Sequence, residues 1–280
     1  MKIGFIGQGW IGKHYADDFE ARGHETVRYG LEKEFSNNKS AIITCDIVFI
    51  AVPTPTTPDG FDDSIVRSVV PLVGAGKIAV IKSTIIPGTT ESIQKENTEI
   101  FVLHSPEFLA EATAAYDAAH PNRNIVGIPH NTPLYHQKAE SVLEVLPSAP
   151  YARIMQARDA ECVKYAGNCF LFTKTIFVNM LYDLVQSLGA SWEEIRDAFI
   201  HDPRIGASHT NPIHASGRGA GGHCFIKDFE TFRRLYELHV HDDIGARMLN
   251  AQKDMNLNLL IKSRKDLDIV EGVYGNIKIQ

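Results

Sequence analysis

The chain has 280 residues, 44% of them hydrophobic, with 28 Lys and Arg against 34 Asp and Glu for a formal net charge of −6. That apolar share supports a folded core and excludes a disordered chain, and the length suits one large domain or two ordinary ones. The acidic balance argues against nucleic acid or an anionic membrane surface as the main partner. Residues 1–9 hold no apolar signal core and run straight into a glycine loop, so 2–7 reads as a first strand and not as a targeting segment. Helical spacing follows over 11–22, then a strand over 25–29. A nearly continuous apolar run over 46–52 fits a strand buried on both faces. A helix over 62–73, a strand over 77–81, a helix over 88–96 and a strand over 100–103 continue the alternation. This order predicts an α/β fold with a Rossmann-like, doubly wound parallel sheet covered on both faces.

The character changes near residue 156, where strand signals nearly vanish. Helical periodicity runs over 159–188 to a stop at Gly189, and further helices are expected over 192–200, 228–239 and 242–264. Residues 269–280 read as a weak strand-like or irregular tail. The expected organisation is a dinucleotide-binding domain over 1–156 and an all-helical domain over 157–280 with one long central helix. The most apolar stretch, 168–188, holds Lys174, Asn179, Asp183 and Gln186, which makes it a poor membrane span and a good buried helix. Cys45, Cys162, Cys169 and Cys224, in a chain without an export signal, read as thiols, and a cytoplasmic location is expected.

Gly7-Gln8-Gly9-Trp10-Ile11-Gly12 is a G-x-G-x-x-G loop between a predicted strand and a predicted helix. Its glycines allow a tight turn and close approach of a pyrophosphate, and the helix N-terminus offers unpaired N–H groups and a positive dipole end. The acid that commonly ends the second strand is replaced by Gly30, with Glu32 two residues on and Arg28 and Lys33 nearby. Either Glu32 takes the acid's role and the cofactor is NAD, or the bases accept the 2′-phosphate of NADP.

Residues 219–228 read Gly-Ala-Gly-Gly-His-Cys-Phe-Ile-Lys-Asp. The glycines let the backbone come close to a ligand, and a thiol near a helix N-terminus and a lysine should have a lowered pKa and be nucleophilic. On the long helix, Lys164, Asn168, Thr175, Asn179 and Tyr182 fall within about 60° of arc. Something polar must face that stripe unless it faces solvent. The other side carries Phe170, Phe177, Val178, Leu181, Val185 and Leu188. The histidines have no complete ligand spacing with cysteines, and no metal site is expected.

Over roughly residues 1 to 240 the chain resembles the UDP-glucose/GDP-mannose dehydrogenase family. The cysteine motif at 219–228 carries the resemblance, with Ala-Val-Pro-Thr-Pro at 51–55, Lys-Ser-Thr-Ile-Ile-Pro-Gly at 82–88 and Ser-Pro-Glu-Phe-Leu-Ala-Glu at 105–111. The Lys164-x-x-x-Asn168 pair and Asp-Pro-Arg-Ile-Gly at 202–206 also fit. Ile226 stands where the family motif has proline, the stretch between Arg204 and Cys224 is longer than usual, and the chain looks like a short form lacking the C-terminal nucleotide-sugar-binding domain.

The resemblance implies a four-electron oxidation of a nucleotide sugar's primary alcohol to the acid, with two NAD molecules acting in turn. Cys224 would pass through a thiohemiacetal and a thioester. Lys164 and Asn168 would stabilise the oxyanion, Asp228 and Thr84 would position or activate water, and Glu107 would act as acid or base. It implies cofactor contacts from Gly7, Gly9, Trp10, Ile11, Gly12, Glu32, Val52, Pro53, Thr54, Ser83, Thr84, Glu111 and Lys227. Substrate contacts would come from Phe108, Leu109, Ala110, Glu111, Lys164, Asn168, Arg204 and Gly221. It also implies a homodimer through helix 159–188, with Arg204 reaching the substrate of the partner subunit. Two other readings stay open. One is a two-electron β-hydroxyacid-type dehydrogenase, which shares the domain pairing and the K-x-x-x-N pair. The other is a degenerate dinucleotide-binding homologue.

Overall fold

The structure is a computed structural model that describes residues 1–214 and 216–276. In chain order its elements are β1 (Lys2–Ile6), α1 (Trp10–Ala21), β2 (Glu25–Tyr29), β3 (Ile47–Ile50), β4 (Thr56–Thr57), β5 (Gly60–Phe61), α2 (Ser64–Val69), β6 (Ile78–Ile81), α3 (Thr89–Glu96), β7 (Phe101–His104), α4 (Ala114–Ala119), β8 (Arg123–Ile128), α5 (Pro133–Val145) and β9 (Tyr151–Gln156). They are followed by α6 (Ala157–Ser187), α7 (Trp192–Ile200), β10 (Ile213–His214), β11 (Gly217–Arg218), α8 (Gly222–Val240), α9 (Asp243–Ser263) and α10 (Leu267–Tyr274). Contacts divide the chain into two compact units, Met1–Thr54 with Asp62–Lys164, and Pro55–Phe61 with Tyr165–Gln280. The division falls inside α6, after the expected boundary at 156, and gives the β4–β5 hairpin to the second unit. Among the described residues no helix is long and apolar enough to cross a membrane.

The first unit is built on a seven-stranded sheet in the order β2-β1-β3-β6-β7-β8-β9. The first five strands run parallel, β8 and β9 are parallel to each other, and the single antiparallel step is β7 against β8 at His104 and Gly127. The chain leaves β1 for one neighbour and returns to its other side with β3, so the doubly wound switch point lies between them. β3 and β6 are buried along their whole length, which explains their unbroken apolar sequence. Phe5, Phe19 and Phe49 stack in the core with ring centroids 5.2 to 5.5 Å apart and tie β1, α1 and β3 together. Between 104 and 156 lie α4, β8, α5 and β9, beyond the elements expected from the sequence.

The second unit is helical apart from two small hairpins. Fully buried Phe172 and Phe229 stack 3.8 Å apart between α6 and α8. Val178, Val185 and Trp192 form a small core between α6 and α7. Two expectations change here. The cysteine helix begins at Gly222, not at 228, so Cys224 lies in its first turn. The tail expected as strand-like or irregular over 269–280 contains a helix, because Val270 and Val273, three residues apart, both bury against Ile226 and Leu260. Residues 277–280 of that span lie outside the described residues. No disulfide links the four cysteines.

Within the first unit one buried carboxylate joins the beginning of α6 to α3. Glu161, fully buried, accepts from Gly88 N at 2.5 Å, Thr90 N at 2.8 Å and Thr90 Oγ1 at 2.6 Å, capping a helix whose own N-cap is a glycine. Burial raises its carboxyl above the ordinary value, and the three donors oppose that shift. Glu161→Ala strands those donors and is expected to lower unfolding stability by about 2–3 kcal/mol. Urea titration measures this, with Glu161→Gln expected to fall between the variant and the parent.

Candidate active site

In the first unit the glycine loop takes the shape that pyrophosphate binding requires. Gly7 has a left-handed φ of 91° and its missing Cβ would strike the Ala51 carbonyl, while a Cβ at Gly12 would strike the carbonyl of Gly7. Gly9, by contrast, faces open space. The first and third glycines therefore serve turn and packing, and the second leaves room for a ligand at the N-terminus of α1. Trp10 and Ile11 open that helix. Two adjoining segments are zipped together: Ser83 Oγ donates to Val52 O at 2.7 Å and accepts from Val52 N at 2.9 Å, and Thr54 Oγ1 donates to Thr84 O at 2.7 Å. This joins Val52, Pro53, Thr54, Ser83 and Thr84 into one rim at the carboxyl ends of β3 and β6. At the end of β2, Arg28 is engaged by Glu20 at 2.7 Å and Asp17 at 2.7 Å. The Glu32 carboxylate lies over Gly30, where a Cβ would strike it, beside Gln8. An open depression of about 610 Å³ next to β2, lined by Glu20, Arg28, Phe35 and Asn38, contains none of the expected site residues.

A second group collects after β7. Glu107, 4% exposed, accepts from Leu109 N and has its Oε2 3.7 Å from Lys164 Nζ. Lys164 also donates to the Glu107 carbonyl at 2.7 Å. Phe108 lies under the Arg123 guanidinium at 3.8 Å, Ala110 N donates to Asp117 at 2.9 Å, and Glu111 is exposed. Lys82 opens the 82–88 motif. It is buried, reaches Ser105 Oγ at 3.3 Å and sits over the Tyr15 ring at 4.3 Å. Burial lowers its ammonium to about 8, with Glu107 opposing the shift and Lys164 adding to it. Burial also holds the neighbouring His104 neutral, down to about 3.

In the second unit α6 and α8 meet at a buried carboxylate. Asp228, 1% exposed, accepts from Asn168 Nδ2 at 2.6 Å and from Lys227 Nζ at 2.6 Å. Cys224, exposed, precedes Asp228 by one helical turn and so shares its side of α8. Cys169 is the contrasting thiol. It is buried against the Asp228 carbonyl, and burial pushes its pKa far up. The rest of the polar stripe on α6 does not face solvent. Thr175 and Asn179 are buried, and Arg218 donates to Asn179 Oδ1 at 2.9 Å and Asp183 at 2.6 Å while covering the Tyr182 ring. Arg204 is exposed and held by Asp202 at 2.6 Å.

Two of the three glycines of the cysteine motif, Gly219 and Gly221, are crowded by the chain itself, where the sequence had suggested a ligand, while Gly222 faces open space. Gly219 is left-handed, and a Cβ there would lie 3.0 Å from Asn256 Oδ1. At Gly221 it would strike the Asp266 carboxylate. Asn256, 3% exposed, clamps Ala220 through both its N–H (2.7 Å) and its carbonyl (3.0 Å). Asp266 accepts from Gly222 N at 2.7 Å. Arg264 and Asp266 hold left-handed backbone without being glycine, at a cost of about 1–2 kcal/mol each. Nothing in the local sequence marks these partners, which lie 36 and 44 residues away.

The family model "UDP-glucose/GDP-mannose dehydrogenase family, NAD binding domain" matches residues 26–145, and the same family's central domain matches 158–258. A UDP-glucose 6-dehydrogenase of Pseudomonas aeruginosa is 33% identical over 243 residues, covering 79% of this chain and 51% of the relative. UDP-glucose 6-dehydrogenase YwqF of Bacillus subtilis is 33% identical over 249 residues, covering 84% and 54%. The chain thus spans about half the length of these curated relatives. The solved structure of a UDP-glucose dehydrogenase from Pyrobaculum islandicum superposes with a TM-score of 0.75 at 28% identity, covering 92% of this chain and 67% of that one.

The lowered Lys82 pKa has a consequence for stability. The unfolded chain holds this proton up to the ordinary lysine value of 10.5, whereas the folded chain releases it at about 8. Between those values the unfolded state binds more protons, so the Lys82 contribution to stability rises with pH. Urea midpoints measured across that window should rise less in Lys82→Met than in the parent chain.

Proposed function

This chain belongs to the UDP-glucose/GDP-mannose dehydrogenase family, and we propose that it oxidises the primary alcohol of a nucleotide sugar to the acid in two NAD-dependent steps. The observation that carries this reading is the Asn168–Asp228 hydrogen bond of 2.6 Å, which joins Asn168 of α6 to the cysteine helix α8 within the second unit. NAD accepts the hydride in each oxidation, and two are consumed per alcohol. The groups suited to hold it are the open Gly9 face, the Val52–Thr54 and Ser83–Thr84 rim, and Glu32 near the adenosine ribose. Arg28 is already committed to Glu20 and Asp17, which favours NAD over NADP.

In this reading the first oxidation gives an aldehyde and a proton. The Cys224 thiolate adds to the aldehyde carbon to give a thiohemiacetal, whose oxidation leaves a thioester. Water adds to the thioester carbonyl and the thiolate departs, releasing the carboxylate. Asn168 has a second N–H beyond the one given to Asp228, and that donor with the Lys164 ammonium would stabilise the oxyanions of both additions. Asp228 would accept the proton of the attacking water, and in the first unit Glu107, backed by Lys164, would move a proton during hydrolysis. Phe108, Leu109 and Ala110 would line the sugar site.

The exposed stripe of α6 supports a homodimer. Phe170, Phe177, Met180, Leu184 and Leu188 are 54 to 72% exposed on one face, which is costly in water unless covered. The partner subunit's copy of this face would cover it, and Arg204 would then reach the neighbouring substrate.

Reduced cofactor per substrate consumed, measured with UDP-glucose, UDP-N-acetylhexosamines and GDP-mannose, should be two with NAD and near zero with NADP. Cys224→Ala should abolish acid formation; near-normal turnover in that variant would favour a two-electron enzyme instead. Light scattering at micromolar concentration should give a dimer that Phe177→Glu converts to monomer.

A further inference from the structure

The corner between α9 and α10 lies beyond the residues that match the family's central domain, and it packs against the cysteine motif at Gly221. Lys265 is 5% exposed, and its ammonium donates to the carbonyls of Gly219 at 3.1 Å, His214 at 3.2 Å and Gly217 at 3.5 Å. A buried ammonium requires partners, and here all three are carbonyls of one loop, which must curl around the cation to point at it. The next residue, Asp266, gives α8 the cap that none of its own side chains supplies, through Gly222 N at 2.7 Å. The backbone is left-handed on either side of Lys265, at Arg264 (φ 53°) and Asp266 (φ 52°). Strain of that kind persists only where surrounding contacts over-determine it, and here the bonds to 214, 217, 219 and 222 add to the turn bonds that close α9.

We propose that Lys265 and Asp266 are positioning residues for Cys224. Lys265 sets the curvature of the loop that enters α8, and Asp266 keeps the first turn of α8 formed, so that the thiol stays at the helix end whose dipole favours its anion. The proposal rests on Cys224 being the nucleophile. It adds that residues outside the family-matched domain control that nucleophile's reactivity.

Iodoacetamide labelling of the full chain, followed cysteine by cysteine with peptide mass spectrometry, tests this. Exposed Cys162 is an internal reference, and buried Cys45 and Cys169 report unfolding. In Lys265→Met the Cys224 to Cys162 rate ratio should fall roughly fivefold, the size of one helix-end charge interaction. Lys265→Arg should restore it. Asp266→Ala should show the same fall, and Asp266→Asn, which keeps an acceptor for Gly222 N, should not. If Lys265→Met also exposes Cys45 and Cys169, the Asp266 pair decides by the same ratio. An unchanged ratio in Lys265→Met and Asp266→Ala with the buried cysteines silent, or an Arg variant no better than Met, overturns the proposal. Labelling needs neither cofactor nor sugar, so a failure of the proposed oxidation would leave this result standing.

Discussion

The second unit depends on one buried charge. Asp228 has almost no access to water, and a carboxylate there is tolerable only while both oxygens are bonded. Asn168 from α6 and Lys227 from its own helix meet that demand. The Phe172–Phe229 stack, next along both helices, fills the adjoining apolar space. Together the polar bond and the stack set the rotation of α8 against α6. Cys224, one turn before Asp228, then has no freedom to lie on another side of the helix.

The two glycine-rich motifs use the same residue for opposite ends. In the loop between β1 and α1, two glycines allow backbone to lie on backbone and the middle one leaves a free face. In the segment before Cys224 the space a side chain would occupy at Gly219 and Gly221 is taken by Asn256, Lys265 and Asp266, while Gly222 keeps an open face. One motif leaves room for a ligand, and the other immobilises the chain that leads to a reactive thiol. Ile226 belongs to the same arrangement: its side chain fills the core shared with Leu260, Val270 and Val273.

At the carboxyl edge of the sheet in the first unit, Lys82, Ser105, Glu107 and Lys164 form a largely dry polar group. Open α/β sheets bind ligands outside that edge, and low dielectric there strengthens every charge that is paired and penalises any that is not. Lys82 carries that penalty as a weakened hold on its proton.

Much of this was readable from residue order. Strict alternation gave the parallel sheet, because β3 and β6 are buried on both faces and so have no polar positions to blur their runs. Spacing gave α6, and motif chemistry singled out Cys224, Asn168, Asp228 and Lys164. What residue order could not supply were partners far along the chain. The start of α8 at Gly222 depends on a cap from Asp266, and α10 exists because Ile226 and Leu260 wait to cover it. Likewise the polar stripe of α6 could be read from helical period, but its burial under Arg218 could not. Local sequence encodes period, turn chemistry and reactive groups, since these act over a few bonds. Which buried polar atom satisfies which other one is decided only when distant segments are brought together, since the cost of leaving it unsatisfied arises only after water is gone.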